Sequence, residues 1–510
     1  MPIFKTIETK GVPVKIFTNE LEFQAEAQLI DLAESGIVEG FVSAMPDVHF
    51  GKGATIGSVF ASNFAVCPNA VGVDIGCGMA AIPYKNLTKN ELSLEVKQNI
   101  HKEIKEKIPT GFLSHQEPQK HNILDNTNRT NWLSSKININ TAKQIGTLGG
   151  GNHFIEIVHD QNDMVWIMLH SGSRNIGKQT AEYYNQLAIK QMELRNIKAP
   201  NPDLNHLLIE SEEGQNYLKD MSWCQDYALA NRETMLFNIA KIVEKYINVL
   251  PEWDKVINIH HNYCACEDCN ILESGEIIKK KLWVTRKGAT SAKNGELGII
   301  PGSMGTGSFI VKGLGNPESW SSCSHGAGRS KSRNKAVNEI TQEDFEKSMN
   351  GIICETDPEL RDEAPQAYKD LNIVMQNQND LVEPINRLLP LINIKGFDKE
   401  DRFKREKAKV IFENIPDFGI TILEIEVIKS NNSKETKWIL LDDYKMVVIK
   451  SDQEPVREIW VKTKEHEDKK LLLKCIIKSS SVENGIILKI LEIKKKQTLK
   501  LSGIQENHPL

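Results

Sequence analysis

At 510 residues, 40% hydrophobic and 26% charged, the chain has the composition of a soluble globular protein and exceeds what one hydrophobic core usually spans, which excludes disordered and fibrous classes. A formal net charge of −5 argues against extensive non-specific duplex binding, because neutralising phosphates favours basic surfaces; a narrow basic site aided by bound cations stays open. Nine cysteines lack framework spacing, the opening MPIFKTIETK has no apolar core, and no run nears the ~18 apolar residues of a membrane span, so a reduced, cytoplasmic protein without a membrane partner is expected.

Through residue 396, short apolar strand-like runs alternate with Gly-rich turns and a few helical segments, which predicts an α+β catalytic domain of several subdomains. Residues 45–59 read MPDVHFGKGATIGSV; the GKGAT segment lacks the Gly-x4-Gly-Lys-Ser/Thr spacing of a P-loop, so that reading is rejected. In VGVDIGCGM, residues 71–79, two residues separate Asp74 from Cys77 in a loop thinned by glycine. A carboxylate and a thiolate so spaced can converge on one metal ion, and a thiolate can bridge two. The polar stretch 114–140 reads as a surface excursion. In GGGNHFIE, residues 149–156, Asn152 could hydrogen-bond a phosphate oxygen and Glu156 could accept from the N1 and N2 donors of guanine.

The run WIML at 166–169 leads into His170, and VINI at 256–259 leads into His260 and His261. Both read as strands that deliver ligands at their ends, where a rigid scaffold places them well. Trp223, Tyr227, Ala230, Ile239, Val243 and Tyr246 recur at mostly helical spacing and predict a long amphipathic helix over 223–247, its stripe turned to the core. Cys264, Cys266 and Cys269 could bind zinc, but no fourth ligand with finger spacing is evident, and three reduced thiols are the simpler reading.

Pro301, Gly302, Ser303, Met304 and Ser308 offer a tight turn whose free backbone N–H groups suit phosphate or base edges. In CSHGAGR, residues 323–329, His325 stands among small residues with Arg329 four positions on. That suits a histidine nucleophile toward phosphorus, with Arg329 gripping the transferring phosphate by a bidentate fork; a buried histidine in a glycine turn is the plainer reading of the loop alone. Lys395, in INIKG at 392–396, could donate to guanine O6.

Taken together and in this order, these stretches, with HSGSR at 170–174, HHNY at 260–263, RKGA at 286–289 and PGSMG at 301–305, resemble the RtcB family of RNA-splicing ligases from about residue 40 to Gly396. The resemblance implies two Mn2+ per chain, the first held by Asp74, Cys77 and His153, the second by Cys77, His170 and His261. Donor chemistry alone suits zinc, cobalt or manganese; the resemblance selects manganese. It also implies a GTP- and Mn-dependent RNA ligase that joins a 3′-phosphate or 2′,3′-cyclic phosphate end to a 5′-hydroxyl end through a guanylylated His325 and an RNA-3′-ppG intermediate. GTP would be held by Asn152, His153, Phe154, Ile155 and Glu156, by His261 and Asn262, and by the 301–304 turn with Ser308. His325, Gly326, Ala327, Gly328 and Lys395 would complete that site. Arg174 and Arg329 are candidates for the RNA terminal phosphates and Lys287 for the GTP phosphates or RNA end. Asp47 and His49 fall in a motif that resembles the family's active-site region, either behind the reacting groups or among them. An archease-like activator is a candidate partner. The rival readings are a dinuclear metal phosphodiesterase acting on RNA ends, with His325 merely structural, and a metal-stabilised RNA-binding protein without catalysis.

After Gly396 the pattern changes. Residues 397–407 are heavily charged and predict a linker. Apolar runs within 420–428, 438–441, 446–449, 459–461, 471–477 and 486–493 predict an antiparallel sheet or barrel in a small accessory domain over 397–510, an extension unusual for the family. That segment carries 23 Lys+Arg against 20 Asp+Glu, mildly suggestive of RNA contact, although charged solvent faces of β-domains are common.

Overall fold

The computed structural model describes residues 3–273 and 276–396, and beyond them the backbone of six strands between Ile420 and Thr498. The chain divides into two compact units, Met1–Phe397 and Asp398–Leu510. Helices and sheets are mixed in the first, as expected of an α+β protein.

Its central element is a seven-stranded sheet in the order Ile257–His260, Gly78–Thr88, Met164–Ser171, Phe154–His159, Val382–Lys395, Ser308–Gly313, Leu297–Pro301. Neighbours are antiparallel throughout. The register pairs His260 with Gly78, Gly78 with Ser171, His170 with Phe154 and Phe154 with Lys395. Strand ends from five distant parts of the sequence therefore meet at one end of the sheet. Side-chain alternation separates the faces. Ile155, Ile157, Val165, Ile167 and Leu169 enter one core with the long helix, whereas Phe154, Val158, Trp166 and Met168 enter another on the opposite face.

The long helix runs over Glu212–Ile247, 36 residues, and starts well before the predicted 223. Ser211 caps it by accepting from the Gly214 N–H, Glu212 and Glu213 complement its N-terminal dipole, and Asn248 closes it in the left-handed conformation. Its first turns contribute Tyr217, Leu218 and Met221 to a core with Tyr184, Trp223 and Tyr227; its last turns pack Met235, Ile239 and Val243 on the sheet. The polar 114–140 stretch is largely exposed, pinned by Ile123 and Leu133 beneath short helical turns.

A second, six-stranded sheet follows the order Lys5–Ile7, Val14–Ile16, Glu39–His49, Ile56–Ser62, Glu276–Lys287, Asn262–Glu273. His261 is the single residue between the edge strand of the first sheet and the edge strand of the second. Among the described residues no helix is long and apolar enough to cross a membrane.

In the second unit six antiparallel strands order as Lys445–Met446, Lys434–Asp442, Ile420–Ile428, Glu458–Thr463, His466–Ser481, Gly485–Thr498. The last two are longer than their apolar runs because polar and basic residues at their ends also pair. The predicted linker over 397–407 and the end of the predicted strand over 446–449 lie outside the described residues.

Candidate active site

Three loops and the end of strand Met164–Ser171 converge where the strand ends meet. Cys77 Sγ lies 3.4 Å from His153 Nε2 and 3.2 Å from His170 Nε2; His153 Nε2 lies 3.1 Å from Asp74 Oδ2, and His170 Nε2 lies 3.3 Å from His261 Nε2. Two sets of potential ligands follow, Asp74–Cys77–His153 and Cys77–His170–His261, with Cys77 common to both. His153 Nδ1–H donates to Leu148 O at 2.9 Å and His170 Nδ1–H to Asn152 O at 3.3 Å, which leaves both Nε2 lone pairs facing the cluster. Burial, then neighbouring imidazoles, hold His170 and His261 well below the usual histidine range, so both are neutral donors. Burial pushes the Cys77 thiol well up and Asp74 pushes it further; a divalent cation among these atoms would reverse that preference. One S, one O and three N donors, closely gathered and largely buried, fit two transition-metal ions sharing a thiolate. The fit is tight: a Cβ on Gly172 would overlap the Asp74 carboxylate.

His325 stands beside this cluster, its ring centroid 4.8 Å from that of His261. It follows strand Ser322–Ser324, which pairs with Ala289–Ser291. Asp47, fully buried on strand Glu39–His49, fixes it: Oδ2 accepts from His325 Nδ1–H at 2.6 Å and from the backbone N–H groups of His325 and Gly326 at 3.1 and 3.2 Å. Burial opposes ionisation of Asp47, but His325, with His49 and Lys369, more than offsets it and holds the carboxyl below its usual range. A carboxylate can only accept, so the ring proton is on Nδ1 and the Nε2 lone pair is available. His49 Nδ1 donates to Asp47 O at 2.9 Å, so His49 braces the same strand end. A Cβ on Gly328, at φ 73°, would overlap Asp47 O, which is why the loop needs glycine there.

Two cavities flank the cluster and share Asn152, Ile56 and His325 in their walls. The first, of about 360 Å³, is large enough for a nucleotide. It is lined by Phe154 and Glu156, the turn Pro301, Gly302, Ser303 and Met304, Ser308, the loop Gly326, Ala327, Gly328 and Arg329, and Lys395. The second, of about 270 Å³, is lined by Lys52, Asn69, Asp74, Cys77, His261, Asn262 and Lys287. Burial lowers Lys287 to about 8, and its ammonium donates to Asn69 O at 2.9 Å.

Deep in the first cavity, burial raises Glu156 to about 7 against the opposing pull of Asn393 and Lys395. Its Oε1 accepts from Asn393 Nδ2 at 2.6 Å, while Asn393 Oδ1, also buried, has no hydrogen-bond partner among the described residues. Glu363 is a hub that the sequence did not reveal. It accepts from Lys395 at 2.7 Å, Arg333 at 2.7 Å, Tyr368 at 2.8 Å and Arg329 at 3.3 Å. Burial opposes its charge, but Lys395 and Arg333 bring it down to about 2. Arg333, Tyr368, Asn393 and Glu363 all line the first cavity; Asn393 lies in the INIKG stretch with Lys395, whereas the other three sit in no glycine-marked motif that would have drawn attention to them.

Other predicted residues fall elsewhere. Ile155 points to the opposite face and packs in the helix-side core. His261, Asn262 and Lys287 line the second cavity and not the first. Arg174 lines neither; it donates to Thr147 Oγ1 and Gly111 O, both at 3.0 Å, near Asp74. Cys264 and Cys269 lie on opposite faces of strand Asn262–Glu273 and join different hydrophobic cores, while Cys266 is exposed. Among the described residues the three thiols form no metal cluster.

Site and fold together describe a protein with two sets of potential metal ligands and a carboxylate-oriented histidine next to a nucleotide-sized cavity. The family model "tRNA-splicing ligase RtcB" matches residues 28–396. "RNA-splicing ligase RtcB" of Escherichia coli K12 is 40% identical over 415 residues, which cover 77% of this chain and all of that protein. "RNA-splicing ligase RtcB homolog 1" of Entamoeba dispar is 31% identical, covering 71% of this chain and 81% of its own length. "tRNA-splicing ligase RtcB" of Methanococcus maripaludis is 28% identical, covering 76% and 95%. The chain belongs to the RtcB family.

Proposed function

We propose that this protein is a GTP- and Mn-dependent RNA ligase joining 3′-phosphate or 2′,3′-cyclic phosphate ends to 5′-hydroxyl ends. The observation that carries the reading is the Asp47–His325 pair beside the two ligand sets, at the wall shared by both cavities. A structural histidine would have no need of a buried carboxylate that frees Nε2 toward a cavity, and this weighs against the phosphodiesterase alternative.

GTP occupies the first cavity. Its guanine meets Glu156, with Asn393 Oδ1 as a second buried acceptor for the N–H groups that adenine lacks at that edge. Lys395, set by Glu363 and reaching toward Phe154, takes O6; the Pro301–Met304 turn and Ser308 meet the base and ribose side. His325 Nε2 attacks the α-phosphorus; the N–P bond forms, the Pα–O bond to the β-phosphate breaks, and pyrophosphate leaves. Asp47 holds the ring proton on Nδ1 and stabilises the cationic ring that results. Bound manganese would neutralise phosphate charge and polarise the reacting oxygens, with Asp74, Cys77 and His153 holding one ion and Cys77, His170 and His261 the other.

The RNA end enters from the second cavity, where Lys287, Lys52 and Asn262 face its phosphate. Water opens a cyclic phosphate to the 3′-phosphate. A 3′-phosphate oxygen then takes GMP from His325 to give RNA-3′-ppG and a free imidazole. The 5′-hydroxyl, losing its proton, attacks the 3′-phosphorus, GMP leaves, and the phosphodiester closes. Arg329 is held by Glu363 and Tyr368 at the first cavity and assists there; Arg174 keeps the loop behind Asp74 in place. Residues 397–510 form an accessory domain, and the protein works in the cytoplasm, with an archease-like activator as a candidate partner. The test is sealing of an oligonucleotide bearing a 2′,3′-cyclic phosphate to one bearing a 5′-hydroxyl, with GTP and Mn2+. Joined product that requires GTP supports the reading; end hydrolysis without joining would favour the phosphodiesterase.

A further inference from the structure

On the long helix, Asn231 and Arg232 are both fully buried, and neither belongs to the ligand sets. Among the described residues no carboxylate forms an ion pair with Arg232, so its charge is spread over neutral acceptors. Nη1 donates to Gly76 O and to Ser171 O, both at 2.9 Å; Nε donates to Asn258 Oδ1 at 2.6 Å; Nη2 lies 3.2 Å from His260 Nδ1. His260 Nδ1 is also 2.9 Å from Gly76 O, so that nitrogen either accepts from Arg232 or donates to the carbonyl that Arg232 also holds. Gly76 precedes Cys77, Ser171 follows His170, and His260 precedes His261. One rigid, planar guanidinium thus grips the chain next to all three members of one ligand set.

Asn231 does the corresponding work for the other set. Its Oδ1 accepts from Gly146 N–H at 2.8 Å and Thr147 N–H at 3.1 Å, and its Nδ2 faces Thr147 O, Ser171 Oγ and Gly172 O, each at 3.1 Å. Ser171 Oγ donates in turn to Leu148 O, the carbonyl that fixes the His153 ring, and Gly172 abuts the Asp74 carboxylate.

We propose that Asn231 and Arg232 are positioning residues that set the two metal sites separately: Arg232 the Cys77–His170–His261 set, Asn231 the loops carrying His153 and Asp74. The inference rests on the metal reading above. Groups behind metal ligands typically alter affinity by about 10- to 100-fold when removed. Two single-set backgrounds in the full-length protein, His153→Ala and His170→Ala, allow each site to be titrated with Mn2+ alone by calorimetry. Arg232→Met should lower affinity at least tenfold in the His153→Ala background, where it backs all three ligands, and by a clearly smaller factor in the His170→Ala background, where it backs only the shared Cys77; Asn231→Leu should show the reverse order. A merely structural role would weaken both backgrounds alike, and that result, or no change in either, overturns the proposal. If Arg232→Met does not fold, Asn258→Ala, which removes one guanidinium partner, decides by the same comparison: selective loss supports, equal or absent loss overturns. Failure of the parent protein to take up Mn2+ would instead overturn the metal reading itself.

Discussion

His325 and Asp47 stand far apart in the sequence, yet a single 2.6 Å hydrogen bond makes them one chemical unit. On the proposed mechanism Asp47→Asn keeps an acceptor oxygen for the three N–H groups but removes the charge that stabilises the cationic ring. Guanylylation should fall by orders of magnitude, about 10⁴-fold being the loss for the Asp-to-Asn change in a hydrolytic triad. His325→Ala should abolish adduct formation yet still seal RNA already carrying a 3′-ppG end; single-turnover assays with each substrate check both. Glu156 supplies a pH signature. Its carboxyl lies near 7 because burial disfavours the charge, and the charged form is the one that accepts from guanine. GTP affinity should therefore be full above about pH 7 and decline as pH falls through that value, and Glu156→Gln should bind more weakly with no slope. A flat wild-type profile in calorimetry would place guanine recognition elsewhere. At this scale the sequence disclosed ligand types, because Cys, His and Asp beside glycine carry their chemistry openly. It did not disclose Glu363, Asn393 or Arg232, whose importance comes from partners brought together only by the fold.

Strands deliver most of the site. The apolar runs before His170 and His261 were legible as strands because β-rich residues end abruptly at a polar ligand, and the sheet register then aligns those ends. The long helix was only partly legible: Trp223 to Tyr246 mark the stripe, but Ser211 and two glutamates, a helix start signal, lie a dozen residues earlier. The three cysteines at 264–269 invited a zinc reading that a continuous strand dissolves, since alternation turns Cys269 to the face opposite Cys264 and Cys266, and Cys266 is exposed while Cys264 is buried. The shared position of Cys77 gives the element-scale prediction. Cys77→Ser should lose most Mn2+ from both sets and all ligation, whereas His170→Ala should spare the Asp74–Cys77–His153 set in part. Elemental analysis showing two full equivalents in Cys77→Ser would refute the bridge.

Across the whole molecule the family match ends at residue 396, and every residue proposed for chemistry lies before that point. A chain of residues 1–397 is expected to fold, bind Mn2+ and form the adduct with wild-type yield. If the appended unit grips RNA, truncation should raise KM for long substrates and leave short oligonucleotides unaffected, and the full-length advantage should fade at high salt. Equal kinetics on both would assign the extension another role. The central claim is that His325 becomes covalently guanylylated. Incubation with α-labelled GTP and Mn2+, followed by peptide mapping, tests it most directly. The account predicts one acid-labile GMP on the peptide containing His325, absent from His325→Ala; no adduct, or an adduct on another residue, would contradict it.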